Sequence, residues 1–393
     1  MYLTREEERI YDGEMGWAYQ VSMRILVKLG ELYGADRLIP IESAHVSGVS
    51  YKTVGDAAID FLEELAKSGG RVSVKATTNP AGIDYKNMVF TRLLGELSEK
   101  QRKIIELYKA LGIEATLTCT PYYLEPPKRG SHLSWAESSA VIYANSIIGS
   151  WTNREGGPSA LASALIGKTP NYGVHRPENR RPTVLVKVEA ELNDESDYGA
   201  LGIFLGKAIG DRIPLICGLP SIEERFLRQM GAAMATSGMA FMFHLEGKFE
   251  GNVEGVETIT VEDGNLRETR ESLSTAFGEK PDLVFIGCPH CSLNEIKVVA
   301  ELLKGRKVRR DVDLWICTSR FVYGKAKKYV EIIESTGGRV ICDTCAVVTW
   351  LKELGVETLM TNSAKTAYYA PSMNKVKVIF SPLVECIETA CEK

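Results

Sequence analysis

The sequence predicts an α/β protein made of parallel βαβ units in more than one lobe, and three observations predict it. Short runs rich in Val, Ile and Leu alternate with longer stretches whose apolar residues recur at helical spacing, the order of strands joined by crossover helices. At 393 residues the chain exceeds the size at which one core stops growing. Cys119, Cys288 and Cys345 each stand where a strand-like run gives way to a polar or proline-bearing turn, and in doubly wound α/β folds such strand ends are where ligands bind.

Along the chain, Thr4 with Glu7 three residues on forms a capping-box pattern that opens a first helix. Val21, Ile25, Leu26, Leu29 and Leu32 share one face of a second helix over 16–34. LIPIESAHVSGVS reads as a strand running into a Ser/Gly loop. Helix 54–67 follows, then RVSVKATTNP, a strand ending at Asn79-Pro80, and helix 92–111 leads into a strand before Cys119. The middle repeats the pattern with TVLVKVEAEL, a Gly/Ala/Leu helix, IPLICGL, a second helix and MAFMFHL. After a linker at 256–275, the C-terminal region alternates DLVFIGC, helix 292–304, DLWICTS, helix 323–336, RVICDTC, helix 346–354, ETLMTNS and KVKVIFS. The expected organisation is therefore an N-terminal lobe over 1–182, a second βαβ segment over 183–255 and a C-terminal lobe over 276–393.

A net charge of −4 argues against a nucleic-acid partner. No long uncharged apolar run is available to span a bilayer, and MYLTREEERIYDG is charged where a signal peptide is apolar, so a soluble, cytoplasmic protein with reduced thiols is expected. Only three glutamines stand against abundant Lys, Glu and Arg, a balance associated with thermophiles.

Thiolates select iron–sulfur clusters, zinc or copper(I), and a three-thiolate site leaves a metal position open for substrate. Cys119, Cys288 and Cys345 are the expected metal ligands. The alternative is zinc held by the pairs Cys288/Cys291 and Cys342/Cys345, whose separation is much longer than in compact zinc ribbons. Buried cysteine also serves as a small hydrophobe, which suits Cys217 and Cys317. In GCPHC, Pro289 suits the first turn of a helix and Cys288 its cap, which places a ligand in the positive field of a helix N-terminus. His290 beside it is a catalytic candidate. The stretch 143–157 crowds Asn145, Ser146, Thr152, Asn153, Arg154 and Glu155 among Ile147, Ile148 and Trp151, which reads as a substrate-facing wall, with Asn153 and Glu155 as catalytic candidates. Ser47 and Gly48 offer amides and hydroxyls to an anion. Lys365 follows a strand, where its charge can bind phosphate or carboxylate, and Lys75, Asn79 and Thr318 complete the expected substrate-binding set.

These residues carry a resemblance. CTPYY at 119–123, WAESSAVIYANS at 135–146, TNREGG at 152–157, GCPHCSLNE at 287–295, TSR at 318–320, DTC at 343–345 and TNSAK at 361–365 resemble the large subunit of the aconitase X family, in order and over nearly the whole length. The resemblance implies an aconitase-like multi-lobe architecture of parallel βαβ units around a central cleft. It implies an iron–sulfur cluster, [4Fe–4S] by choice, on Cys119, Cys288 and Cys345, acting as Lewis acid in a hydro-lyase. The implied reaction is dehydration of mevalonate 5-phosphate to trans-anhydromevalonate 5-phosphate in an archaeal isoprenoid pathway; the alternatives are cis-3-hydroxy-L-proline dehydration, or a non-catalytic zinc-stabilised α/β protein. The swivelling small domain of the family is not found in this chain, so a separate small subunit carrying that domain and a catalytic serine is implied.

Overall fold

In the computed structural model, which describes residues 1–87, 94–251, 253 and 255–392, the Thr4 hydroxyl accepts from the Glu7 amide and the Glu7 carboxylate accepts from the Thr4 amide. This capping box opens helix α1 (Arg5–Asp12) as expected. Helix α2 (Trp17–Leu32) buries Met23, Leu26 and Val27. The chain divides into two units, Met1–Arg181 and Pro182–Lys393. Among the described residues no helix is long and apolar enough to cross a membrane.

In the first unit the run from Leu38 to Val46 forms two strands rather than one, β1 (Leu38–Pro40) and β2 (Ser43–Val46). The chain changes partners between them: the Ile41 amide donates to Gly167 O and the Glu42 amide to His132 O. β1 pairs antiparallel with β5 (Lys168–Pro170). β2 is the centre of a parallel sheet in the order β3-β2-β4, with β3 (Lys75–Thr78) and β4 (Leu133–Trp135) at its edges. Helices α3 (Tyr51–Lys67), α4 (Glu96–Ala110) and, after the short α5 (Ser138–Tyr143), α6 (Gly157–Ile166) supply Ile59, Leu62, Ile104, Ile105, Leu161 and Ala164 to the core against it. Positions 92 and 93 of the expected helix 92–111 lie outside the described residues. No strand forms at 115–118. Thr side chains take over its hydrogen bonds instead: Thr116 Oγ1 donates to Thr78 O, Thr78 N donates to Thr116 Oγ1, and Leu117, at φ 48°, donates its amide to Thr78 Oγ1.

The second unit holds two parallel sheets. Strands β6 (Val184–Val188), β7 (Pro214–Cys217), β8 (His244–Leu245) and β9 (Glu257–Val261) pair in the order β8-β7-β6-β9. The expected linker 256–275 is thus a correction: its apolar alternation pairs as β9 with β6, and helix α9 (Asp263–Leu273) buries Leu266 and Leu273. Helices α7 (Glu195–Ile209) and α8 (Glu224–Ser237) pack closely, because Gly202 and Gly206 let α7 approach the α8 backbone. The second sheet runs β12-β11-β10-β13-β14, from β10 (Leu283–Cys291), β11 (Asp313–Thr318), β12 (Arg339–Cys342), β13 (Thr358–Thr361) and β14 (Lys377–Phe380). Helices α10 (Leu293–Leu303), α11 (Arg320–Lys325), α12 (Lys327–Ser335), α13 (Ala364–Asn374) and α14 (Leu383–Ala390) complete the crossovers and the terminus.

Three helix expectations change here. Helix 323–336 is broken at Ala326, between α11 and α12. The expected helix 346–354 is a series of turns, in which Asn374 accepts from Leu351 N and donates to Ala346 O and Val347 O in place of helical partners. Cys288 does not cap a helix, nor does Pro289 start one. Both lie in β10, and Ser292 caps α10 through a reciprocal box with Glu295.

Candidate active site

Strand order in the five-stranded sheet reverses at β10, which lies between β11 and β13, and in such sheets ligands bind beyond the carboxyl ends at the reversal. Regular pairing of β10 with β11 stops at Ile286. Gly287, at φ +115°, then approaches β11 so closely that a Cβ would lie 2.3 Å from Cys317 O, so only glycine serves there. Cys288 follows, with its carbonyl accepting from Ser363 Oγ at 2.6 Å, which ties the strand end to the loop before α13.

Cys345 lies three residues beyond β12 and within electrostatic reach of both Cys288 and Lys365. Burial, and after it the Cys288 thiol, pushes the Cys345 thiol up to about 12, with Lys365 opposing. A buried thiol so disfavoured from ionising, as Cys345 is, holds its proton until a cation takes the charge, and metal binding then releases it. The donors are soft, none of the nine cysteines is in a disulfide, and the pair fits an iron–sulfur group. Lys365 is 9% exposed in the first turn of α13.

The segment that carries Cys345 is held from three sides. Asp343, at φ +66°, accepts from Arg320 Nε and Nη2 at 2.9 and 2.8 Å. Thr344 O lies 2.9 Å from His290 Nε2 and 2.6 Å from Cys317 Sγ. Thr318 Oγ1 donates to Cys291 O at 2.6 Å. His290 and Thr318 are fully buried and both hydrogen-bond to backbone carbonyls of the thiol-bearing segments.

The zinc alternative fails on spacing. Cys291 pairs with Thr318, which pairs with Cys342, so the two cysteines stand two strand spacings apart. That is about 10 Å, too far for one ion with Zn–S bonds of about 2.3 Å. Among the described residues no three His, Cys, Asp or Glu side chains form a group able to hold a single metal ion.

In the first unit, the carboxyl ends of β2, β3 and β4 carry Ser47-Gly48, Asn79 and Glu137. Gly48 is at φ +80°, and Gly157 packs so tightly on Ser47 O that a Cβ there would lie 2.6 Å away. Asn79 Nδ2 donates to Glu137 Oε2 at 2.7 Å, while Glu137 Oε1 accepts from Ser139 N and Oγ at 3.3 and 2.9 Å. Behind them His45 is fully buried on β2, its Nδ1 2.8 Å from Thr77 Oγ1. Burial drives its imidazole down to about 4 against the pull of Glu137. Cys119, buried, directly follows Thr118, whose amide donates to Thr78 O beside Asn79. Glu137, Ser139 and His45, which stand at these strand ends beside Asn79, were not singled out from the sequence. The signal was an acid one residue after a strand-like LSWA, in position to cap the helix that follows.

The expected polar wall is largely consumed by its own scaffold. Asn145 accepts from Thr152 N and donates to Thr152 O; Thr152 Oγ1 accepts from Trp135 N. Asn153 donates to Tyr172 O and accepts from Val174 N. Glu155 accepts from Ser159 and Thr169 hydroxyls, and burial raises its carboxyl above the ordinary range. These four residues shape the loop. Ser146, in the π-turn Ala144–Ile148, and Arg154 are half-buried. Lys75 stands apart: it begins β3, the end opposite Asn79, and is half-exposed in an ion pair with Glu125.

Family models described as the first, second and third domains of aconitase X match residues 1–178, 182–271 and 281–392. The chain belongs to the aconitase X family. It is 47% identical over 397 residues to the phosphomevalonate dehydratase large subunit of Methanothermobacter thermautotrophicus, covering 98% of both chains. Identity is 48% to that of Thermococcus kodakarensis, covering 94% of this chain and 95% of the relative. Against the cis-3-hydroxy-L-proline dehydratase of Pseudomonas aeruginosa it is 34%, covering 98% of this chain but 69% of the relative. The crystal structure of Thermococcus kodakaraensis aconitase X in its holo-form superposes with a TM-score of 0.92 at 46% identity, covering 99% of this chain and all of that one.

Proposed function

We propose that this chain is the large subunit of a cytoplasmic hydro-lyase that dehydrates (R)-5-phosphomevalonate to trans-anhydromevalonate 5-phosphate in archaeal isoprenoid synthesis. One observation carries the choice of substrate. Four archaeal phosphomevalonate dehydratase large subunits are 46–48% identical to it over nearly their whole lengths, whereas the two hydroxyproline dehydratases reach 33% and 34%. The relatives' designation as large subunits supports a small-subunit partner, to which we assign the swivelling domain and the serine that removes the proton.

A [4Fe–4S] cluster on Cys119, Cys288 and Cys345 would supply a Lewis acid for the departing tertiary hydroxyl. The chain's own residues bind and orient. Lys365 is a buried cation within electrostatic reach of the Cys345 thiol and meets an anionic group of the substrate at little further desolvation cost. The Ser47-Gly48 turn offers amide donors to the phosphate, Asn79 presents an amide held by Glu137, and Arg154 takes the carboxylate end. Asn145, Thr152, Asn153 and Glu155 hold the loop from which Arg154 projects. The test is kcat/KM of the anaerobically reconstituted two-subunit protein. Phosphomevalonate should be preferred to mevalonate and to cis-3-hydroxy-L-proline by orders of magnitude; equal efficiency without the phosphate, or preferred turnover of the proline, refutes the assignment.

A further inference from the structure

We propose that His290 is a positioning residue, a strut that sets the spacing between the two thiol-bearing segments of the second unit, and not an acid or base. The inference rests on the reading of Cys288 and Cys345 as cluster ligands. His290 is fully buried and held at both ends. Its carbonyl accepts from Arg228 Nη2 at 2.8 Å, and Arg228 Nη1 is paired with Glu295 at 2.5 Å, so its backbone is anchored to helices α8 and α10. Its ring reaches across to Thr344 O at 2.9 Å. A carbonyl oxygen only accepts, so the ring carries its proton on Nε2 and donates it. Cys288 lies two residues before this strut on one strand end, and Cys345 one residue after the carbonyl it grips.

The Cys317 thiol donates to the same carbonyl, and the Arg320 pair holds Asp343 in its left-handed conformation. The distance between the two sulfurs is thereby set by hydrogen bonds before any cluster arrives. Groups that orient ligands in this way change metal affinity by about 10- to 100-fold when removed. His290→Phe keeps the ring's bulk and deletes the donor, while His290→Gln places an amide N–H where Nε2 stood.

The experiment is anaerobic loading of the apo-chain with ferrous iron and sulfide, followed by visible absorption and by the reduced-state electron paramagnetic resonance spectrum. Folding is checked by circular dichroism. His290→Phe should fold yet lose its cluster to a chelator about 10- to 100-fold faster than the parent, with a shifted resonance spectrum; His290→Gln should restore both. A His290→Phe protein that loads and retains the cluster like the parent overturns the proposal. So does a His290→Gln protein that has an intact cluster spectrum but no turnover once the small subunit is added, under conditions where the parent turns over, since that is the behaviour of an acid or base. Should His290→Phe not fold, long-range proton–nitrogen correlation spectra of the parent apo-chain decide: a fixed Nε2–H tautomer supports the strut, and an Nδ1–H tautomer overturns it. Cys288→Ala separates the two claims. If it loads normally the ligand assignment itself is wrong; if it fails to load while His290→Phe loads normally, only the strut is.

Discussion

Arg228→Met deletes a cation that is 2% exposed and leaves Glu295, 14% exposed, without the charge it is paired with. Burial alone would raise the Glu295 carboxyl, but the Arg228 charge and the Ser292 hydrogen bonds outweigh it and hold the group below its ordinary value of 4.5. Breaking one side of such a buried pair costs about 3–5 kcal/mol. For a unit of this size that corresponds to a fall in Tm of about 6–20 °C. The sign with pH follows from the lowered carboxyl: the pair's contribution is complete above 4.5 and is lost as the pH falls through the folded-state value. Calorimetry of the apo-chain from pH 3.5 to 7.5 reads both effects. The gap between parent and Arg228→Met should be widest near neutrality and close in acid, and Arg228→Met/Glu295→Gln should recover part of it. A loss under about 1 kcal/mol at pH 7, the size typical of a surface pair, or a gap that widens in acid, would refute the reasoning.

Lys365→Ala should lower kcat/KM for the phosphorylated substrate by about 10- to 150-fold, the loss of one hydrogen bond to a charged group. The cluster absorption should stay unchanged, and steady-state kinetics beside a visible spectrum checks both. His45 and His175 are held neutral, at about 4 and about 3, chiefly by burial. Both values are depressed below the ordinary 6.5, so the stability they contribute is complete above 6.5 and is lost as the pH falls through the folded-state values. Urea unfolding between pH 7 and 4 should show a loss of about 3 kcal/mol from His45 alone, and His45→Gln should flatten the profile; an unchanged slope would remove His45 as its source.

Much of the second unit was legible. Its strands are largely continuous apolar runs, and Cys288, Asp343 and Lys365 stand at or just beyond their carboxyl ends, where the candidate site was expected. The position of Cys288 relative to a helix was misread because proline after cysteine looked like a helix start, although SLNE already spelled the stronger capping box at Ser292. The strand before Cys119 failed for a different reason. β-branched Thr fits a strand by propensity, yet its hydroxyl can replace the ladder, and Thr116 and Thr78 do so. The wall at 143–157 shows the limit of composition: polar groups among apolar ones signal a site or a tightly satisfied loop, and only the partners of Asn145 and Asn153 decide. Glu137 was passed over for the converse reason: a single acid after a strand carries no period, and only its place as the cap of the following helix marked it.

The ligand assignment is tested most directly by anaerobic iron and acid-labile sulfide analysis of this chain with its small subunit, set beside Cys119→Ala, Cys288→Ala, Cys345→Ala and Cys386→Ala. The parent and Cys386→Ala should each hold about four irons and four sulfides per chain and turn over phosphomevalonate, while each of the other three loses the broad visible absorption and the activity together. A fully loaded, fully active Cys345→Ala protein, or stoichiometric zinc in place of iron and sulfide in the parent, would contradict it.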